Sequence, residues 1–239
     1  MRNVDARIDQ VVTTGKVTLD DEEYEVENNT YIVGDDDEVI VIDPAHDADA
    51  VLKAVGEREV MAVICTDGNE HKLSTVLEVA AAGEEDEENW APIALHRGDR
   101  LLWRDYFGRL ARDEEDEEDA EALRSLEPDI WLEDGGVFEI AGTQLEIVHT
   151  PGHTPGSVCV ISEQLGVLFS GDTLHRGRPG SIGGVYEDLR KQLNSIGALL
   201  TPLPKDLRVL PGQGDETTVG DEDARWETWG ALAADGEGR

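Results

Sequence analysis

Short runs of apolar residues alternate with turn-forming residues over the first 66 positions of the chain. Residues 11–14, 24–33 and 39–42 are rich in residue types that favour strands, and an acidic turn at 34–37 separates the last two runs. Runs of this length, joined by short turns, predict an antiparallel β-meander at the start of the fold.

The pattern then changes to the spacing of a helix. Apolar residues recur at helical intervals in residues 47–55, and the continuous apolar run at 60–64 is typical of a strand buried on both faces. Together these segments predict a strand–helix–strand unit, and chemistry in such units gathers at the carboxyl ends of the strands. The loop at 65–71 is therefore the first place where we expect functional side chains.

Later residues continue the alternation of strands and helices. The pattern predicts a helix from 71 to about 82, a strand at 92–95, a helix at 97–107, hairpins at 137–148 and 157–170, a helix at 186–200 and a strand at 207–210. Seven consecutive acidic residues at 113–119 predict a solvated helix face or loop, inside a surface insertion at about 108–128. We find no repeat or linker, so residues 1–239 are expected to form one domain.

Composition narrows the classes of partner. The chain has 54 acidic and 20 basic residues and a formal net charge of -34, so it should repel nucleic acid and anionic membranes. Because the charge is spread along the whole chain, it is typical of halophilic adaptation. No apolar run approaches the ~20 residues that span a bilayer, and no signal peptide is evident, so we expect a cytoplasmic protein. Cys65 and Cys159 lie in apolar runs and are expected to be core thiols.

Four loops that follow predicted strands carry side chains able to bind a metal. These loops come after Ile64, Val148, Phe169 and Leu210, and each contains a His, Asp, Glu or Gln beside small residues. A metal centre at the edge of a sheet needs such donors from several strand ends. Four loops of this kind therefore predict a metal site more strongly than any one of them would.

Two of these segments, 149–157 and 169–174, resemble the third and fourth signature motifs of the metallo-β-lactamase-fold hydrolases. Asp43 and the Cys65-Thr66 strand end look like the first motif and the opening of the second. The resemblance spans about residues 8–220 and implies an α/β fold, the four-layer αββα sandwich of that family. Further likeness to glyoxalase II-like thioester hydrolases rests on Asn28-Asn29, residues 171–174, Pro179-Gly180 and Gly214-Asp215.

The resemblance also implies a binuclear centre built on a His-x-His-x-Asp-His loop, and this chain departs from that pattern. With one residue deleted, Asp67 replaces the first His, Glu70 stands for the Asp and His71 is kept. Without a gap, Asn69 falls at the second His and Lys72 at the last. Gln213 occupies the place of the final His, and its amide is a poor ligand for zinc.

The donors that survive define the predicted site. One divalent ion, zinc first and iron or manganese as alternatives, would be held by Asp67, Glu70, His71, His153 and Asp172. Of these, Asp172 and Glu70 are also predicted to act in catalysis, with a metal-bound hydroxide attacking the substrate carbonyl. Each residue also has an ordinary structural interpretation, as a turn, capping or first-turn residue. His175 could replace a lost ligand or be a surface histidine.

Two functions follow from these residues. The first is a metal-dependent hydrolase of a thioester or related ester of a small thiol, with an impaired or single-metal site. The second is a catalytically inactive relative that binds or regulates and needs no ion. A nuclease on the same fold ranks last because basic patches are absent. The expected partners are a small-molecule substrate and a second copy of the chain in a homodimer, without nucleic acid or membrane.

Overall fold

The computed structural model of the protein describes residues 6–19, 22–82, 89–180, 187–226 and 229. The strands of the first sheet are β1 Arg7–Leu19, β2 Glu22–Gly34, β3 Glu38–Ile42, β4 Glu59–Ile64, β5 Ile93–His96 and β6 Ile130–Leu132. The second sheet contains β7 Val137–Ile140, β8 Thr143–His149, β9 Val158–Ser162, β10 Val167–Gly171, β13 Arg208–Pro211 and β14 Thr217–Thr218. A small separate hairpin is formed by β11 Leu174–His175 and β12 Arg178–Pro179.

Seven α-helices lie in the described part of the chain. They are α1 Ala48–Val55, α2 Glu70–Leu73, α3 Val76–Ala81, α4 Arg100–Asp113, α5 Glu117–Ser125, α6 Leu189–Leu200 and α7 Val219–Asp223. The start of α1 shows why helices begin where they do. The Asp47 side chain accepts a hydrogen bond from the Ala50 backbone N–H and so satisfies one of the free donors of the first turn. None of the described helices combines the length and apolar character needed to cross a bilayer.

The first sheet joins its strands in sequence order, from β1 to β6. The predicted meander is confirmed, because β1, β2 and β3 pair antiparallel through short turns. From β3 onward the pairing is parallel, since helical segments carry the chain back across the sheet between successive strands. The carboxyl ends of β3 and β4 therefore meet at one edge, where functional side chains were expected.

The second sheet has the order β14-β13-β10-β9-β8-β7. Hairpins make the β7–β8, β8–β9 and β9–β10 pairs antiparallel, and β13 returns to pair parallel with β10 through α6. The parallel pair brings the carboxyl end of β10 next to that of β13. Two further strand ends therefore lie side by side in the second sheet.

The two sheets face each other across an apolar layer and carry helices on their outer faces. Successive residues of β3 alternate between layers, since Ile40 and Ile42 pack between the sheets while Val39 and Val41 pack under helices α1, α3 and α4. On the other side, α6 and α7 cover the second sheet through a third apolar cluster. This order of layers is the αββα sandwich, and the predicted fold class is confirmed.

The structure corrects two local predictions and adds one strand. The helix expected from 71 to about 82 is two short helices, α2 and α3. The helix expected at 97–107 begins with a short 3-10 turn and runs on to Asp113, and strand β6 was not predicted. The acidic run at 113–119 ends α4 and begins α5. The predicted start of the helix at 186–200 lies outside the described residues, and the observed α6 begins at Leu189.

Candidate functional site

Three aspartates from three strand ends meet at the edge where the two sheets come together. Asp43 directly follows β3, Asp67 is the third residue after β4, and Asp172 directly follows β10. All three are buried, with at most 3% of each residue exposed. Gly171 has a φ of 49°, and a Cβ there would lie 2.2 Å from the Thr66 hydroxyl, so only glycine fits the turn that aims Asp172 inward. Buried carboxylates need a cation or several donors.

The cation at this point is the ammonium of Lys72. The Lys72 Nζ lies 2.6 Å from Asp67 Oδ2, 3.1 Å from Asp172 Oδ2 and 3.2 Å from Asp43 Oδ2. It also donates to the Thr66 hydroxyl at 2.9 Å. Lys72 has no exposed surface, which is rare for lysine and requires this full set of partners. One ammonium therefore contacts carboxylates from both sheets.

The electrostatics of Lys72 favour its charged form. Burial opposes the charge, but the carboxylates of Asp172, Asp43 and Asp67 outweigh it and hold the pKa of Lys72 well above its ordinary value. Lys72 is therefore an ammonium at neutral pH, without the lone pair that a nucleophile or a metal ligand requires.

Asp172 accepts from two imidazoles as well. The Nε2 of His175 lies 2.9 Å from Asp172 Oδ1, and that of His71 lies 3.3 Å from Oδ2. Burial acts to raise the pKa of Asp172, but Lys72 and the two histidines bring it well below its ordinary value. The buried Nδ1 of His175 has no hydrogen-bond partner among the described residues, which assigns its proton to Nε2. His175 therefore donates to Asp172.

His153 lies beside this cluster on the loop between β8 and β9. The Asn69 side-chain amide donates to His153 Nε2 at 2.8 Å, because an amide nitrogen can only donate. This bond leaves the ring proton on Nδ1, which lies 3.6 Å from Glu187 Oε1. His153 Nε2 is 3.9 Å from Asp172 Oδ2. The lone pair on the inner side of His153 is used by Asn69.

Asp99 connects the two loops that carry these side chains. Its carboxylate accepts from the Gly68 backbone N–H at 2.8 Å, the Gly156 N–H at 2.6 Å and the Thr154 hydroxyl at 2.6 Å. Burial, only partly offset by these bonds, raises the pKa of Asp99 to about 6. Asp99 therefore holds the loop after β4 against the loop after β8.

The structure brings together four of the five predicted ligands. Asp67, His153 and Asp172 each offer a ligand atom, all within 4.8 Å of one another, and His71 Nε2 lies 3.3 Å from Asp172 Oδ2. Glu70 is apart from them, since its exposed carboxylate pairs with Arg109. Asn69 and Lys72, which the ungapped alignment places at the second and last histidines of the motif, both lie in the site. The site also contains four residues outside the predicted ligand set, namely Asp43, Asn69, Lys72 and His175.

A cavity of about 360 Å³ opens beside His153. It is lined by polar groups from Asn69, Glu70, Arg109 and Glu187 and by apolar surface from Leu102 and Tyr106. A concave pocket next to a cluster of buried polar groups is the usual place for a small-molecule ligand.

Comparison with known proteins identifies the family. The model of the metallo-beta-lactamase superfamily matches residues 79–229, more than half of the chain. The chain belongs to the metallo-β-lactamase superfamily. An uncharacterized protein of Aquifex aeolicus is 31% identical over 206 residues, which is 82% of this chain and 89% of the relative. The family match begins after the loop that holds Lys72.

Other relatives carry more specific names. The probable metallo-hydrolase YqgX of Bacillus subtilis is 29% identical over 81% of this chain and 88% of its own length. The hydroxyacylglutathione hydrolase GloC of Haemophilus influenzae is 36% identical over 96 residues, 40% of this chain and 45% of that protein.

Solved structures extend the likeness to the fold. The B3 metallo-beta-lactamase BLEG-1 superposes with a TM-score of 0.68 at 25% identity, over 89% of this chain and 97% of that one. TTHA1623 in a di-iron-bound form superposes with a TM-score of 0.66 at 27% identity, over 87% of this chain and 96% of that one.

Proposed function

We propose that this chain is a small-molecule-binding member of the superfamily that does not hydrolyse its ligand through a divalent metal ion. The observation that supports the proposal is the position of Lys72, whose ammonium lies within 3.2 Å of oxygens from Asp43, Asp67 and Asp172. Carboxylates that would bind an ion thus already share a cation that belongs to the chain.

The donors present do not fit a divalent ion while Lys72 is in place. An ion among these carboxylates would lie about 3 Å from the ammonium, and charges of +2 and +1 at that distance repel by on the order of 10 kcal/mol at an effective dielectric constant of about 20. Lys72 cannot bind the ion instead, because its nitrogen is protonated. The charge arrangement opposes metal binding at this point.

The imidazole of His153 already has a hydrogen-bond partner. His153 Nε2 accepts from Asn69, so an ion would have to displace this hydrogen bond in order to bind His153. The second histidine of the expected loop motif is Asn69 itself, and the expected final histidine is Gln213. Asn69 and Gln213 therefore each remove an imidazole from the expected set of ligands. Asn69 also hydrogen-bonds to His153, an imidazole that remains.

The cavity beside His153 is the proposed binding site. Asn69, Glu70 and Arg109 supply polar groups, and Leu102 and Tyr106 supply apolar surface. We further propose that the ligand is a small molecule rather than nucleic acid or membrane, because the net charge of -34 opposes both of those partners. A cytoplasmic location and a homodimer remain predictions.

A thioester hydrolase is the second candidate. It is favoured by the partial similarity to the hydroxyacylglutathione hydrolase of Haemophilus influenzae and by the cluster of Asp67, His153 and Asp172. This function would require the Lys72 ammonium to leave the carboxylates and a zinc, iron or manganese ion to replace it.

Elemental analysis combined with a thioester assay separates the two candidates. The chain would be purified without chelator from medium supplemented with zinc, iron and manganese, and assayed on a hydroxyacylglutathione thioester, with the Haemophilus enzyme as positive control. We expect less than about 0.1 ion per chain and a rate that is the same for wild type and His153→Ala. One ion per chain, with hydrolysis lost in His153→Ala, would establish the hydrolase instead.

A further inference from the structure

The Lys72 ammonium joins parts of the fold that come from both sheets. Asp43 and Asp67 follow strands of the first sheet, and Asp172 follows a strand of the second. Lys72 itself lies in α2, within the loop that leaves β4. A cation at this point is therefore a structural cross-link, whatever else the site does.

The three carboxylates are held in place by bonds that do not involve Lys72. Each uses its Oδ1 for another partner and turns its Oδ2 toward the ammonium. The Oδ1 atoms accept as follows: Asp43 from the Thr66 backbone N–H at 2.7 Å, Asp67 from the Asn69 N–H at 3.0 Å, and Asp172 from His175 Nε2 at 2.9 Å. The convergence of the three Oδ2 atoms is thus built into the surrounding loops.

We infer that Lys72 is an intramolecular replacement for an external cation, and that removing its side chain leaves a preformed, oxygen-rich site that a small cation can fill. The inference rests on the proposed function, because it assumes that the intact chain holds no ion here. The added claim is that one side chain, Lys72, excludes the metal, rather than the loss of several histidines.

The chemistry of the vacated site defines the cation. Lys72→Ala removes the ammonium and most of its stem but leaves three inward carboxylate oxygens, with His71 next to Asp172. Carboxylate oxygens suit hard divalent ions such as Mn²⁺ and also suit an alkylammonium ion, which would restore the original charge and donors. Zinc is expected to bind less tightly, because binding to His153 would first break its hydrogen bond to Asn69.

Cation rescue of Lys72→Ala tests the inference. Thermal unfolding of the full chain would be followed with Mn²⁺, with ethylammonium and without either, and Mn²⁺ stoichiometry would be measured by paramagnetic resonance. We expect one Mn²⁺ per chain for Lys72→Ala, and a rise in Tm of at least about 5 °C with either cation. Wild type and the surface variant Lys53→Ala should show neither effect.

Refolding of Lys72→Ala with Mn²⁺ and the metal content of wild type distinguish failure of this inference from failure of the proposed function. If Lys72→Ala does not fold alone, it is refolded with millimolar Mn²⁺, and recovery of native circular dichroism is the expected result. Absence of Mn²⁺ binding and of rescue by both cations, in folded and refolded samples, would overturn the inference while leaving the proposed function intact. One tightly bound ion in wild type would instead overturn the proposed function.

Discussion

Replacing Lys72 with methionine removes the central charge of the site while keeping a side chain of similar length. Asp43, Asp67 and Asp172 would then be buried without the ammonium that each contacts within 3.2 Å. Removing one partner of a buried ion pair costs about 3–5 kcal/mol, because the remaining charge is left uncompensated.

The expected loss is therefore about 3–5 kcal/mol in the free energy of unfolding at pH 7. For a chain of this size each kcal/mol corresponds to about 2–4 °C in Tm, so Lys72→Met should unfold about 6–20 °C below wild type. Urea titration and calorimetry would measure the two quantities. Lys53→Met, on the exposed face of α1, is the control and should stay within about 0.5 kcal/mol of wild type. A Lys72→Met variant within about 1 kcal/mol of wild type would refute the electrostatic reasoning.

Three other predictions concern the surroundings of Lys72. His175→Leu leaves Asp172 Oδ1 without its donor and should lower the free energy of unfolding by about 1–3 kcal/mol, whereas an unchanged urea midpoint would contradict the assigned bond. The pKa of Asp99 is about 6 in the folded protein, above its ordinary value, so ionisation of Asp99 favours unfolding. The free energy of unfolding of wild type, relative to that of Asp99→Asn, should therefore fall as pH rises from about 4 to about 6. A difference that stays constant with pH would contradict the raised pKa. Gly152→Ala places a Cβ 2.2 Å from the Gln192 backbone and should cost more than about 3 kcal/mol, well above Gly135→Ala, which shares a positive φ but faces open space.

Much of the fold follows from the periodicity of the sequence. The alternation in residues 38–42 places Ile40 and Ile42 between the sheets, and the apolar run at 60–64 forms β4, which is paired on both sides. The interruption between α2 and α3 was not predicted, because Ser74 and Thr75 are compatible with a helix in a periodicity argument. Strand β6 was also missed, since three residues are too few to show a period.

The centre of the site could be predicted only in part. His153 and Asp172 were identified because their motifs lie at strand ends, where loops of this fold carry chemistry. Lys72 was not predicted to belong to the site and was noted only as a residue that does not match the motif. A sequence pattern of ligands does not show which way each side chain points. Glu70 appeared to be a carboxylate at the right spacing, but it begins α2 on the outer side and pairs with Arg109. An isolated lysine beside a strand end rich in acidic residues was the available signal.

A crystal structure of the wild-type chain grown with Mn²⁺ and Zn²⁺, with anomalous data at both absorption edges, tests the central claim most directly. We predict density for the Lys72 ammonium within about 3 Å of Asp43, Asp67 and Asp172, the distance of a charge-assisted hydrogen bond, and no anomalous peak among them. An anomalous peak bound by Asp172 and His153, with Lys72 turned away from the carboxylates, would contradict it.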